Sequence, residues 1–386
     1  MKNLKKIVAS VSVTALGVAA LAGCTRAPKA SSMFDVMKNA SELDKYSYEI
    51  SCSYEMEGES FDLTIFGECD GKAASVSFKA DVDGVKYEVE DALIATDSAL
   101  YVNIKSVSAL AGAADFDLSA YGITGDWVSI DFGEAAVAET DMDSDLFLDA
   151  LDKAYDDVIE EKDGKYEIRI SSDEDLQKFI DATIVLLNDN GEEWSEEIAD
   201  VYNQFDYETI VRDMITDIFT DVNKQLDAGM TDSEIDEIID EAMADTDFSE
   251  FEIDASECEE MLAELADGLE ESKEDITFED SGLDKITITT SQKDNDYIFK
   301  AQMVGMSDGQ QCSFVVSTTI TKDASVSVSV PDKNVQSVSE VICALLNEFG
   351  VTADNIDEYL EGVEDMSGSL YNDYDYDYDY DDEYDY

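Results

Sequence analysis

The sequence predicts an α+β protein: a large antiparallel meander packed against helices, with an acidic helical insertion. Three observations predict it. Apolar and polar residues alternate with period two in a first group of segments starting at Tyr46 and in a second group ending at Val330. Between the groups, residues 171–280 read as helices and hold 38 acidic side chains against only Lys178, Arg212, Lys224 and Lys273. Finally, 44% of the 386 residues are hydrophobic and 10% aromatic, too apolar for a disordered polyanion even at a formal charge of -69.

That charge, from 93 Asp+Glu against 24 Lys+Arg, repels phosphate backbones and excludes general nucleic-acid binding. It also opposes anionic lipid head groups, so membrane attachment needs something other than a basic patch. There is no histidine. Ser-His-Asp and Cys-His nucleophile pairs and every His-ligated metal site are therefore excluded. The expectation is a non-enzymatic protein without cofactor or metal centre.

Residues 1–23 are not expected to join the fold. Lys2, Lys5 and Lys6 precede the apolar run Ile7–Ala20, which is shorter than the roughly 20 residues of a membrane span and has the layout of a signal peptide. The segment closes on Leu21-Ala22-Gly23-Cys24, which resembles the lipobox of bacterial lipoproteins. The resemblance implies cleavage between Gly23 and Cys24 and acylation of the Cys24 thiol. The partner would then be a membrane, held through acyl chains at roughly 0.8 kcal/mol per buried CH2, on the outer face of a bacterial cell.

Residues 24–32 read as a tether, and Met33–Leu43 as an amphipathic helix with Met33, Phe34, Met37 and Leu43 buried. From Tyr46 to Met56 the even residues are apolar and the odd ones polar. Gly58-Glu59, Asp70-Gly71 and Asp83-Gly84 serve as two-residue hairpin loops. They pair Met56 with Phe61, Tyr54 with Leu63, Cys52 with Ile65 and Tyr48 with Cys69. They then pair Ile65 with Val76 and Leu63 with Phe78, and lastly Val82 with Val85, Ala80 with Tyr87 and Phe78 with Val89. Every register keeps one face apolar, which a one-residue slip would destroy.

Further strands are expected at Leu100–Ile104, Trp127–Phe132 and Lys165–Ile170, with a helix over Ser144–Glu161. In the acidic block, helix starts are marked at Ser172 and at Thr231 or Asp232 ahead of Glu234. The stripes Ile210, Met214, Ile218, Val222 and Ile235, Ile238, Ile239, Met243 bury one face, and the carboxylates form a solvated outer face. Period two returns at Ile286–Thr290, Tyr297–Met303, Cys312–Ile320 and Val326–Val330, and Val338–Phe349 reads as a last helix. The Tyr-Asp repeat Tyr371–Tyr386 carries eight acids and no base and is expected to be disordered.

Gly305-Met306-Ser307-Asp308-Gly309 satisfies G-x-S-x-G, but a nucleophile elbow needs a strand-to-helix turn and a histidine; here the motif reads as a hairpin loop. Asp141, Asp143 and Asp145 resemble the start of a calcium loop, yet Leu146 stands where its glycine belongs and Asp152 where its glutamate belongs, so they read as an acidic helix cap. Cys52, Cys69 and Cys312 face inward as small core residues, and the expected register separates Cys52 from Cys69 by roughly 13 Å, too far for a disulfide.

A leading helix, a long meander, mid-chain helices and closing strands behind an export signal together resemble the LolA/LppX-type lipid-carrier fold over Met33 to Val330. The resemblance implies a curved, half-barrel-like sheet around helices, with acyl chains held between them. The organisation expected is a signal peptide (1–23), a lipidated tether (24–32), an α+β domain (33–349) with a helical insertion at about 171–280, a short helix and linker (350–370) and a tail (371–386). The apolar residues expected to face a hydrophobic ligand or the core are Tyr48, Ile50, Tyr54, Leu63, Phe78, Tyr87, Phe299 and Phe314. The alternative is an interaction or sensor lipoprotein whose acidic helices and tail meet basic partners or cations.

Overall fold

The computed structural model describes residues 32–350, apart from 57–58, 83, 107–121, 132–143, 205, 245, 247, 279–281, 308–309 and 349. The expected signal segment, Gly23 and Cys24, and the Tyr-Asp tail lie outside the described residues, as do Asp141 and Asp143. In chain order come helix α1 (Met33–Ser41) and strands β1 (Tyr46–Met56), β2 (Glu59–Cys69), β3 (Ala73–Val82), β4 (Val85–Thr96), β5 (Ala99–Asn103) and β6 (Trp127–Asp131). Helix α2 (Ser144–Tyr155), strands β7 (Ile159–Lys162) and β8 (Lys165–Ile170), and helices α3 (Asp173–Tyr202), α4 (Tyr207–Leu226), α5 (Asp232–Met243) and α6 (Ala255–Ser272) follow. The chain closes with β9 (Leu283–Lys293), β10 (Asp296–Ser307), β11 (Gln310–Lys322), β12 (Val335–Ser337) and α7 (Val338–Glu348).

The expected α+β class with a curved sheet is found. Among the described residues the sheet has twelve strands in the order β12-β6-β5-β4-β3-β2-β1-β11-β10-β9-β8-β7. Its two meanders, β1 to β6 and β7 to β11, join where β1 and β11 run antiparallel from Tyr46↔Lys322 to Met56↔Cys312.

The chain divides into two compact units. Of the described residues, the first holds those within 32–106, 125–211 and 246–335. Its α1 starts at a capping box in which Ser32 Oγ accepts from Asp35 N and Asp35 Oδ2 from Ser32 N. That box turns Met33, Phe34 and Val36 into the core. The α1 and α3 helices pack on the β8–β10 side of the sheet, α1 against β8, β9 and β10 and α3 against β8. The core gathers Met33, Phe34 and Val36 with Tyr166, Ile168, Ile170, Leu176, Ile180, Ile286, Tyr297 and Met303. Burying each large side chain contributes about 1.5–3 kcal/mol.

Of the described residues, the second unit holds those within 122–124, 212–244 and 336–350. Helix α5 begins at the expected cap, Thr231 with Glu234 forming a reciprocal box, and buries Ile235, Ile239 and Met243. Val222 of α4 and Cys343 of α7 centre a small core with Ile218, Leu226, Ile342 and Leu346. The block 171–280 is thus divided rather than inserted whole: α3 belongs to the core of the first unit, whereas 212–244 belong to the second.

Several local expectations are corrected. The first two hairpins are each displaced by two residues: Tyr54 faces Phe61, Cys52 faces Leu63, Tyr48 faces Gly67, and Ile65 faces Phe78. An even displacement keeps every side chain on its face, so apolar alternation alone does not exclude it. The turn chemistry decides it at Asp70: its carboxylate accepts from Lys72 N and Ala73 N, which puts Asp70 before the loop and Gly71, at φ +80°, inside it. The third register, Val82↔Val85 to Phe78↔Val89, is as expected. The helix from Ser144 stops at Tyr155, because Asp163-Gly164 (φ +55° and +75°) closes a β7–β8 hairpin with Ile159 opposite Ile168. Val326–Val330 is not a strand; Lys45 Nζ donates to Val326 O, and Val328 N donates to Asp70 Oδ2 instead of to a neighbouring strand.

Candidate functional site: the apolar face of the sheet

Direct partners in an antiparallel pair share a face, so the registers define one apolar surface across the first unit. It carries Tyr48, Ile50 and Tyr54 from β1, Phe61, Leu63 and Ile65 from β2, Val76 and Phe78 from β3, and Val85, Tyr87 and Val89 from β4. Across the β1–β11 seam it continues through Phe314 and Ile320 to Phe299 and Met303. The eight residues singled out from the sequence therefore lie on one face, but in two settings. Phe299 and Phe314 pack against the helix-covered core, with Tyr46 and Ile320 at its border. Among the described residues, Tyr48, Ile50, Tyr54, Leu63, Phe78 and Tyr87 stand outside that core cluster. Five of the six are half-buried; at the tip of the β3–β4 hairpin Val82 (40%), Val85 (54%) and Tyr87 (40%) are exposed.

A crease runs across this open half. Gly67 lies opposite Tyr48, and a Cβ there would come within 1.8 Å of Ser75 O. The Tyr48 ring occupies that side and donates its hydroxyl to Ser75 O at 2.8 Å. Two serines replace the missing ladder bonds: Ser75 Oγ accepts from Glu68 N at 3.2 Å, and Ser77 Oγ accepts from Asp91 N at 2.9 Å. The pairing of β3 with β4 shifts at the same place, between Val76 and Phe78, where Asp91 takes φ +46°. Such irregularities bend a strand and increase its twist. Burial, with Cys69 nearby, pushes the Tyr48 hydroxyl up to about 12 and raises Tyr46 as well. At neutral pH both are uncharged.

The other face mixes polar residues with Phe66, Ile94 and Tyr101. At the crease it opens into a groove of about 560 Å³ lined by Ser47, Glu49, Glu68, Ser77, Glu90 and Thr319, among others. Lys79 lies 4.4 Å over the Phe66 ring and 2.9 Å from Glu88, and Lys86 is 3.7 Å from Asp81. By strand alternation these groups all point away from the apolar face.

β10 ends at Ser307, which pairs with Gln310 of the next antiparallel strand, so the G-x-S-x-G segment joins two strands and forms no strand-to-helix elbow. Asp145 lies in the first turn of α2 and pairs with Lys38 at 2.5 Å. Among the described residues, no group of three or more Cys, Asp or Glu is arranged to hold a metal ion. Cys52, Cys69, Cys258, Cys312 and Cys343 are free. The corrected register puts Cys69 opposite Tyr46, about 20 Å along the strand from Cys52. Burial, with Asp62 adding to it, pushes the Cys52 thiol up, the opposite of a reactive cysteine. Among the described residues, no helix is long and apolar enough to cross a membrane.

The sequence missed the unequal covering of the face and the glycine crease. A cross-strand Tyr–Gly pair is a recognisable motif, but it became visible only with the corrected register. No protein-family model, curated protein or solved structure matches the chain.

Proposed function

We propose that this is a membrane-anchored, extracytoplasmic lipoprotein that binds the hydrophobic part of a ligand on the open half of its sheet, without catalysis. The observation that carries the reading is that one apolar face spans both meanders, while among the described residues the helix-covered core takes in Phe299 and Phe314 but not Tyr48, Ile50, Tyr54, Leu63, Phe78 or Tyr87. Apolar surface left on a sheet favours an apolar partner at roughly 25 cal/mol per Å². The lipobox-like Leu21-Ala22-Gly23-Cys24 supports the anchoring half of the proposal, with Cys24 as the acylated residue.

The ligand half is tested by native mass spectrometry of the chain from Thr25 onward, which keeps every described residue. The delipidated protein is offered long-chain alcohols, fatty acids and monoacylglycerols together. Stoichiometric capture of at least one, abolished by Leu63→Glu, is expected; a protein that captures none refutes it. Metabolic labelling with a palmitate analogue tests the anchor, label being expected on the full chain and absent from Cys24→Ser.

A further inference from the structure

Resting on the reading of the open apolar face as a ligand surface, we propose that the ligand is an amphiphile with an uncharged head, and that the face rejects the same chain ending in an anionic group. The argument is one of charge placement. From β1 to β6 the registers assign to this face, among the described side chains, Tyr, Ile, Cys, Met, Phe, Leu, Val, Ala and Gly, with no lysine or arginine. An anionic head lying there finds no cation. The lysines of β3 and β4 are committed on the opposite side, Lys79 to the Phe66 ring and Glu88, Lys86 to Asp81.

Glu49 and Glu55 of β1 and Asp62 of β2 are exposed on the other side of the same strands, so the field around the sheet is negative and opposes an anion, and placing an anion on the face strips its hydration with no cation to compensate. An uncharged hydroxyl or ester does find a partner. The Tyr54 hydroxyl donates to Met56 Sδ at 3.2 Å. A thioether sulfur is a weak acceptor, so this donor is readily redirected to a carbonyl or hydroxyl oxygen. The Tyr48 hydroxyl is already spent on Ser75 O.

The test measures pyrene-labelled monoacylglycerol against pyrene-labelled fatty acid of the same chain length. It uses the chain from Thr25 onward at about pH 8, where the free carboxyl is ionised. The monoacylglycerol is expected to bind at least tenfold more tightly, and most of the preference should survive about 0.5 M salt, because screening removes the repulsion but not the desolvation of an unpaired carboxylate. Val85→Lys, at an exposed position on the face, should narrow the gap by supplying a cation. Equal or tighter binding of the fatty acid, or a gap that Val85→Lys leaves unchanged, overturns the inference while leaving a hydrophobic ligand site in place. Failure of both probes to bind overturns the ligand reading beneath it as well.

Discussion

Replacing Gly67 by alanine should destabilise the first unit by about 2–6 kcal/mol. The new Cβ would lie 1.8 Å from Ser75 O and 2.8 Å from the Tyr48 hydroxyl, inside the 3.0 Å that real Cβ contacts respect. Relief requires β2 and β3 to part by about 1 Å, because the obstructing atom is backbone rather than a flexible side-chain end. That movement strains or breaks the bonds from Tyr48 Oη to Ser75 O and from Glu68 N to Ser75 Oγ. At about 0.5–1.5 kcal/mol each, these add to about 1–3 kcal/mol for overpacking. Urea unfolding followed by circular dichroism should show a midpoint lower by about 1 M at an unchanged slope, taking a slope of about 3 kcal/mol/M. Tyr48→Phe alone should cost about 1 kcal/mol, and the double variant less than the sum, since both changes remove the same hydroxyl contact. A Gly67→Ala protein within about 0.5 kcal/mol of the parent would refute the close packing at the crease.

Tyr48, raised to about 12 in the fold from about 10 in the unfolded chain, contributes stability that is whole below pH 10 and lost as pH rises through 12; ultraviolet titration of the phenolate should lose a component near pH 12 in Tyr48→Phe. Burial pushes the Asp70 carboxyl up, but the N–H groups of Ala73, Lys72 and Val328 outweigh it and hold the group below its ordinary value. Its contribution is therefore present above about pH 4 and lost as pH falls, and the acid midpoint of unfolding should shift less steeply in Asp70→Asn. Ile239, 0% exposed in the second unit, should cost about 2–5 kcal/mol as Ile239→Ala, read as a lower melting temperature by calorimetry. In the same unit, Thr231→Ala should cost about 1 kcal/mol through the lost cap.

Short-range features were legible because their physics is local. Ser172, Thr231 and Ser32 each mark a helix start, since a hydroxyl or carboxylate at that spacing meets a free backbone N–H; the first two were read as such, and Ser32 was assigned to the tether. The Asp83-Gly84 hairpin has the register its turn predicts, whereas Asp163-Gly164, an equally good turn pair, falls between the expected helix and strand, where no hairpin is expected because Ile159–Lys162 in part continues the helical pattern. At the first two hairpins alternation determined the face, but not which of two registers with the same face is formed. The block 171–280 was legible as acidic helices; its division between two units depends on contacts with strands and with α7 that are distant in sequence.

By itself the sequence determined that this is an α+β chain with one-sided strands, that its acids belong to solvent-facing positions, and that histidine-based chemistry is excluded. These follow from composition and periodicity, which act over a few residues. Tertiary structure alone decided that β1 pairs with β11, that Gly67 yields its space to Tyr48 and Ser75, and that the helices pack over β8–β10 while Leu63, Phe78 and Tyr87 stand outside their core. The reason is that an apolar strand face states only that it prefers not to meet water. Whether a helix of the same chain or a ligand covers it depends on where distant elements come to rest.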